Sequence, residues 1–153
     1  GIDGRDFERY IDERTRLPET LKPDGELRYL LSSIRAPKYI LTNSGLNHAM
    51  SVLAGLDIQD QFNGIFYVDY ALPEFYAKPD PQVYRRVQEA LQVQQPHRIF
   101  FVDDIRRYVE PARSHGWNAI HLDPGLPYDA CLVAGVPTVR TLDAIQVFAN
   151  DIF

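Results

Sequence analysis

Two adjacent carboxylates, Asp103 and Asp104, close the stretch HRIFFVDD that runs from His97 to Asp104. The apolar residues before them, Ile99 to Val102, suit a short strand buried on both faces. In an open parallel sheet ligands bind just past the carboxyl ends of the strands, which is where this pair falls. Neighbouring acids repel each other unless a cation lies beside them, and a hard divalent ion, Mg²⁺, is the simplest such cation. The competing reading is structural, with one Asp capping the following helix and the other in water.

Two more groups have chemistry to offer. Lys38 to Leu41 reads as a strand that stops at Thr42, Asn43 and Ser44, after which Gly45 turns the chain into a helix carrying His48, Ala49, Val52 and Leu53. A hydroxyl and backbone N–H groups at such a junction can hold a phosphate, whereas Ser44 or Asn43 as a plain helix cap is the alternative. Lys78 opens Lys-Pro-Asp-Pro, in which Asp80 at the cap and Pro81 at the first helical position start a helix. The tripeptide recurs at Lys22 to Asp24, so it can be mere helix punctuation. Only its place between the Thr-Asn-Ser loop and the acidic pair sets Lys78 apart from a surface lysine.

The elements that must position these residues alternate along the chain. A short amphipathic helix is expected over 6–13, a turn at 17–20, and a helix from Gly25 to Ile34 with Leu27, Leu30 and Leu31 inward. A strand near Ile65 to Val68 precedes the helix after Asp80, whose stripe is Val83, Tyr84, Val87 and Leu91. Past the acidic pair, Arg106 to His115 forms a helix with Val109 and Ala112 inward, ended by Gly116. Trp117 to Leu122 is a strand with His121 half-buried, 123–127 a turn, and 142–148 a closing helix. Strands and helices joined by short loops argue a parallel α/β sheet.

Composition bounds the function. The 153 residues are 45% hydrophobic and 24% charged, as for one soluble domain. A net charge of -5 speaks against nucleic acid or an anionic membrane as partner. One cysteine, Cys131, excludes an internal disulfide framework; its apolar neighbours mark a packed thiol, and a reducing, cytoplasmic setting is expected. No apolar run reaches the length of a membrane span, and no signal peptide is expected. His48, His97 and His115 lack metal-ligand spacing. Arg106 and Arg107 read as solvated helix residues that could otherwise approach an anion, and Tyr76 could line an entrance.

Thr42 after one strand, Lys78 before a helix and Asp103-Asp104 after another strand form an order that resembles the haloacid dehalogenase superfamily. GIDGRDFERYIDE, LKPDGELRYLL, ILTNS, AKPDPQVY and IFFVDDIRRYVEPARSHGW look most like its pyrimidine 5'-nucleotidase type. The resemblance implies a Rossmann-like parallel sheet with flanking helices, with residues 1–24 the end of a helical cap and 25–153 the core. It also implies that Thr42 and the Asn43 backbone hold the transferring phosphoryl group, that Lys78 neutralises charge, and that Asp103 with Asp104 holds Mg²⁺. The substrate would be a small phosphate ester, a nucleoside monophosphate first of all, and a sugar phosphate otherwise.

The family attacks phosphate with an aspartate on the central first strand, followed two residues later by a second Asp. Neither is found here, and Asp3 in GIDGR is a poor substitute. The chain is therefore expected to be a C-terminal part, inactive alone, whose missing strand belongs to a removed upstream segment, is supplied by another chain, or is made good by different pairing of the remaining strands. Where the family continues Asp-Asp with Ser and then Asn, this chain has Ile105 and Tyr108. That departure opens the alternative of a non-catalytic binding or structural subunit.

Overall fold

A computed structural model describes residues 21–153. They fall into two compact units divided between Ala77 and Lys78. The helix expected over 6–13, the turn at 17–20, Asp3 and nearly all of the expected cap remnant lie outside the described residues.

In the first unit, α1 (Gly25–Ser33) starts at Asp24, whose carboxylate accepts from the Leu27 amide at 2.9 Å. Its Leu27, Leu30 and Leu31 are half-buried. Arg28 reaches from this helix to Asp60 with two hydrogen bonds of 2.7 Å, and that hydrogen-bonded guanidinium holds the Asp60 carboxyl below the usual range. β1 (Tyr39–Leu41) and β2 (Gly64–Phe66) pair in parallel, Ile40 opposite Ile65. The crossover between them contains α2 (Leu46–Gly55), which buries Ala49 and Leu53.

The second unit is built on α3 (Pro81–Ala90), β3 (Phe100–Asp103), α4 (Arg106–Ser114) and β4 (Asn118–Leu122). Asp80 caps α3 by accepting from the Gln82 amide at 2.8 Å, and Val83, Tyr84 and Val87 face inward as the sequence predicts. α4 buries Val109 and Ala112, and also Tyr108; it ends at Gly116, where φ is +97°. The chain then adds β5 (Ala130–Val133) and β6 (Val136–Val139), a hairpin that the sequence reading lacks. The sheet order is β3-β4-β6-β5, with β3, β4 and β6 parallel and β5 antiparallel at the edge. The closing helix expected over 142–148 is a shorter α5 (Gln146–Ala149) between 3₁₀ turns at 143–145 and 150–152.

Alternation along β3 explains why its apolar run is unbroken. Phe100 and Val102 pack, with Ile120 and Val139, against Ile145, Phe148 and Ala149 of the C-terminal segment. Phe101 faces the other way, its ring 6.1 Å from Tyr84 and 5.9 Å from Trp117. A strand covered on both faces needs apolar residues at every position, and Asp103 comes where the covering ends. Among the described residues β1 pairs only with β2 and β3 only with β4, so each is an edge strand of its own sheet.

Candidate active site

The candidate residues fall in different units, Thr42 and Asn43 in the first and Lys78, Asp103 and Asp104 in the second. In the first unit the Thr42 amide donates to the Phe66 carbonyl at 2.9 Å, extending the β1–β2 ladder by one residue. The Thr42 hydroxyl oxygen accepts from the Ser44 amide at 3.0 Å and turns the chain. The Tyr70 hydroxyl donates to the Asn43 carbonyl at 2.7 Å, and the Val68 amide to the Ser44 carbonyl at 3.3 Å. This loop is thus fixed from the segment that follows β2. Neither Ser44 nor Asn43 caps α2: the cap is Gly45, in extended backbone and without a side-chain bond, because Thr42 has already made the turn.

In the second unit Lys78 and Asp103 meet. Lys78 Nζ lies 2.6 Å from Asp103 Oδ2, with the two side chains only 7% and 8% exposed. Lys78 is therefore a buried residue, not the surface lysine that the repeated tripeptide allowed. Its ammonium also stands over the rings of Tyr108, at 5.0 Å, and Phe101, at 5.5 Å. Asp103 Oδ1 accepts from the Ile105 amide at 2.9 Å. Neither Asp caps α4, since the cap position is Ile105 and no side chain bonds there; the Asp103 carboxylate instead closes a turn ahead of the helix. Asp104 is exposed.

The groups around the pair are ordered. Tyr84 is wholly buried and donates its hydroxyl to the Tyr108 carbonyl at 2.7 Å. Burial, then the Asp103 carboxylate and Tyr108, push its phenol above the ordinary value of 10.0. Arg106 is half-buried, its Nε 3.0 Å from Glu110 and its Nη2 3.2 Å from the Val133 carbonyl; Arg107 meets the Tyr108 hydroxyl at 3.3 Å. Arg106 is thus held within the second unit and is not a plain solvated residue, whereas Arg107 is exposed, as the sequence suggested. His121 Nε2 lies 3.1 Å from the Asp104 carbonyl oxygen, a contact no motif announced.

Among the described residues no three His, Cys, Asp or Glu side chains are placed to hold a metal ion. Mg²⁺ does not need such a cage, since it keeps several waters and takes one or two carboxylates with a substrate phosphate. A carboxylate has about four lone-pair sites, so Asp103 can accept its two protein donors and still serve a cation. The hard-oxygen pair Asp103 and Asp104 fits this ion.

A parallel α/β core of this kind belongs to the class of Rossmann-like folds, in which ligands bind beyond the carboxyl ends of the strands. Residues 2–116 match the family of haloacid dehalogenase-like hydrolases, and the chain belongs to that family. Phosphate metabolism protein 8 of Saccharomyces cerevisiae is 33% identical over 135 residues, a match covering 81% of this chain and 42% of that protein. The chain thus spans under half the length of this relative.

Solved structures share the fold, among them these two. One is a haloacid dehalogenase-like family hydrolase of Xanthomonas campestris, with TM-score 0.64 and 19% identity, covering 98% of this chain and 59% of the other. The second is a family enzyme of Bacteroides thetaiotaomicron in complex with magnesium and inorganic phosphate, with TM-score 0.59 and 22% identity, covering 83% and 73%.

Proposed function

We propose that this chain is the C-terminal part of a Mg²⁺-dependent phosphomonoester hydrolase acting on nucleoside 5'-monophosphates, pyrimidine nucleotides first of all. The buried Lys78–Asp103 pair, with Asp104 next to it at the end of β3, carries the reading. Transfer of a phosphoryl group depends on positioning and on countering negative charge. Thr42 and the Asn43 backbone bind and orient the phosphoryl oxygens, on a loop that Tyr70 braces. An ammonium carries three N–H donors, so Lys78 can bond Asp103 and bring positive charge to a phosphate as well. Asp103 and Asp104 would hold Mg²⁺, which when bound neutralises phosphate charge.

The attacking carboxylate comes from an upstream Asp-x-Asp strand that completes the core, and the chain without it is inactive. Residues 1–24 are, on this reading, the end of a helical cap preceding the core. The setting is cytoplasmic and reducing, in keeping with Cys131, the chain's one cysteine and unpaired. The same site could serve a sugar phosphate or another small phosphate ester.

A second reading, a non-catalytic binding or structural subunit, draws on Ile105 and Tyr108, an apolar and an aromatic side chain where the family pattern has Ser and Asn. Tyr108 is buried with its ring against Lys78. Mg²⁺-dependent phosphate release from nucleoside monophosphates and sugar phosphates separates the readings. It is measured on this chain alone and with an upstream Asp-x-Asp segment restored. The proposal expects silence alone, activity on restoration, and loss of that activity in Asp103→Asn. Silence of both folded forms refutes the enzyme and leaves the binding subunit.

A further inference from the structure

β4 runs parallel to β3 with His121 opposite Asp103, and on its other side His121 stands opposite Thr138 of β6. Alternation puts His121 on the sheet face that carries Phe101 and Asp103. Its Nε2 is 3.1 Å from the Asp104 carbonyl oxygen. A carbonyl only accepts, so in this contact Nε2 is the donor, and with the proton there Nδ1 is an acceptor. Nδ1 is buried and, among the described residues, has no hydrogen-bond partner.

An unsatisfied buried acceptor is unfavourable, and an apolar side chain of similar size would avoid it. Packing therefore does not account for a histidine at this position. The bond to the Asp104 carbonyl does. Asp103 is pinned by Lys78 and by the Ile105 amide, and His121 grips the next peptide from the neighbouring strand.

We propose that His121 is a positioning residue for the acidic pair. Through its Nε2–H bond to the Asp104 carbonyl it fixes the peptide that carries the exposed Asp104 carboxylate, and so sets the direction in which the two acids meet a hard divalent cation. This rests on the Mg²⁺ reading above and adds a residue to it. Groups that orient metal ligands from behind typically change metal affinity 10–100-fold when removed.

The test titrates Mn²⁺, a paramagnetic substitute for Mg²⁺, into the chain while the backbone amide signals of Asp103 to Ile105 are followed by NMR, with Tm measured in parallel. His121→Leu is expected to weaken Mn²⁺ binding by about tenfold or more without lowering Tm, since it removes the orphaned acceptor. His121→Gln, whose side-chain amide can donate to the same carbonyl, is expected to bind nearly as the unaltered chain does. Unchanged affinity in His121→Leu overturns the positioning role alone. So does a His121→Gln variant as weak as His121→Leu, or a fall in affinity that comes with a lowered Tm. Signals of the unaltered chain that ignore Mn²⁺ overturn the metal reading itself, and the role with it.

Discussion

Replacing Lys78 by methionine keeps most of the apolar stem and deletes the charge. At 2.6 Å from Asp103 and an effective dielectric near 20, the two charges attract by about 6 kcal/mol. The cost of taking both out of water offsets much of this, so the pair itself contributes little net stability. Removing one partner is different, because the Asp103 carboxylate stays buried facing no ammonium. Lys78→Met is expected to lose about 3–5 kcal/mol, a large share of the roughly 5–15 kcal/mol that holds a domain folded. Urea unfolding followed by far-ultraviolet circular dichroism measures it. The double variant Lys78→Met/Asp103→Leu, apolar on both sides, is expected within about 1 kcal/mol of the original chain or above it. A Lys78→Met loss under about 1 kcal/mol, the range of surface pairs, would refute the reasoning, as would a double variant weaker than either single one.

Tyr84 gives a pH dependence of known sign. Its phenol is raised in the folded chain from an ordinary value of 10.0, so its contribution is whole below about pH 10 and is lost as pH rises toward the folded value. Unfolding free energy measured across alkaline pH is expected to fall less steeply in Tyr84→Phe, which should also cost about 1 kcal/mol at neutral pH by removing the bond to Tyr108; equal slopes would contradict it. At Gly116, φ is +97° and an added Cβ would lie a tight 3.1 Å from Pro96 Cβ, so a side chain there is strained. Gly116→Ala is expected to lose about 1–2 kcal/mol in the same urea assay, and an unchanged midpoint would show that the turn can relax.

Local chemistry carried much of this in the sequence. Asp80-Pro81 marks the start of α3 and Gly116 the end of α4 because cap and turn geometry depend on a few neighbouring residues. The run Ile99 to Val102 announces a strand covered on both faces, and so the place where Asp103 emerges. The β5–β6 hairpin was not legible, since Pro137 argues against a strand. It is tolerated because pairing of β6 with β4 begins only at Thr138, so the missing N–H breaks no bond on that side. Residue type alone allows Ser44 or Asn43 as a cap, but the Thr42 hydroxyl turns the chain first. Spacing singled out Lys78 and Asp103 separately, but their ion pair spans 25 residues and depends on how α3 and β3 pack. The same holds for His121, which meets Asp104 only through the parallel register of β3 and β4.

The chain has one tryptophan, Trp117, 4% exposed, its indole N–H on Gln88 at 3.2 Å and its ring 5.4 Å from Tyr84. All of these neighbours belong to the second unit. Emission from the indole therefore registers the loosening of its surroundings in residues 78–153, and with it the strand that ends in Asp103, while none of these neighbours lies in residues 21–77. Backbone ellipticity averages over both. Where the two melting curves part company, the surroundings of the indole and the rest of the fold loosen at different temperatures, read without a label or a mutation.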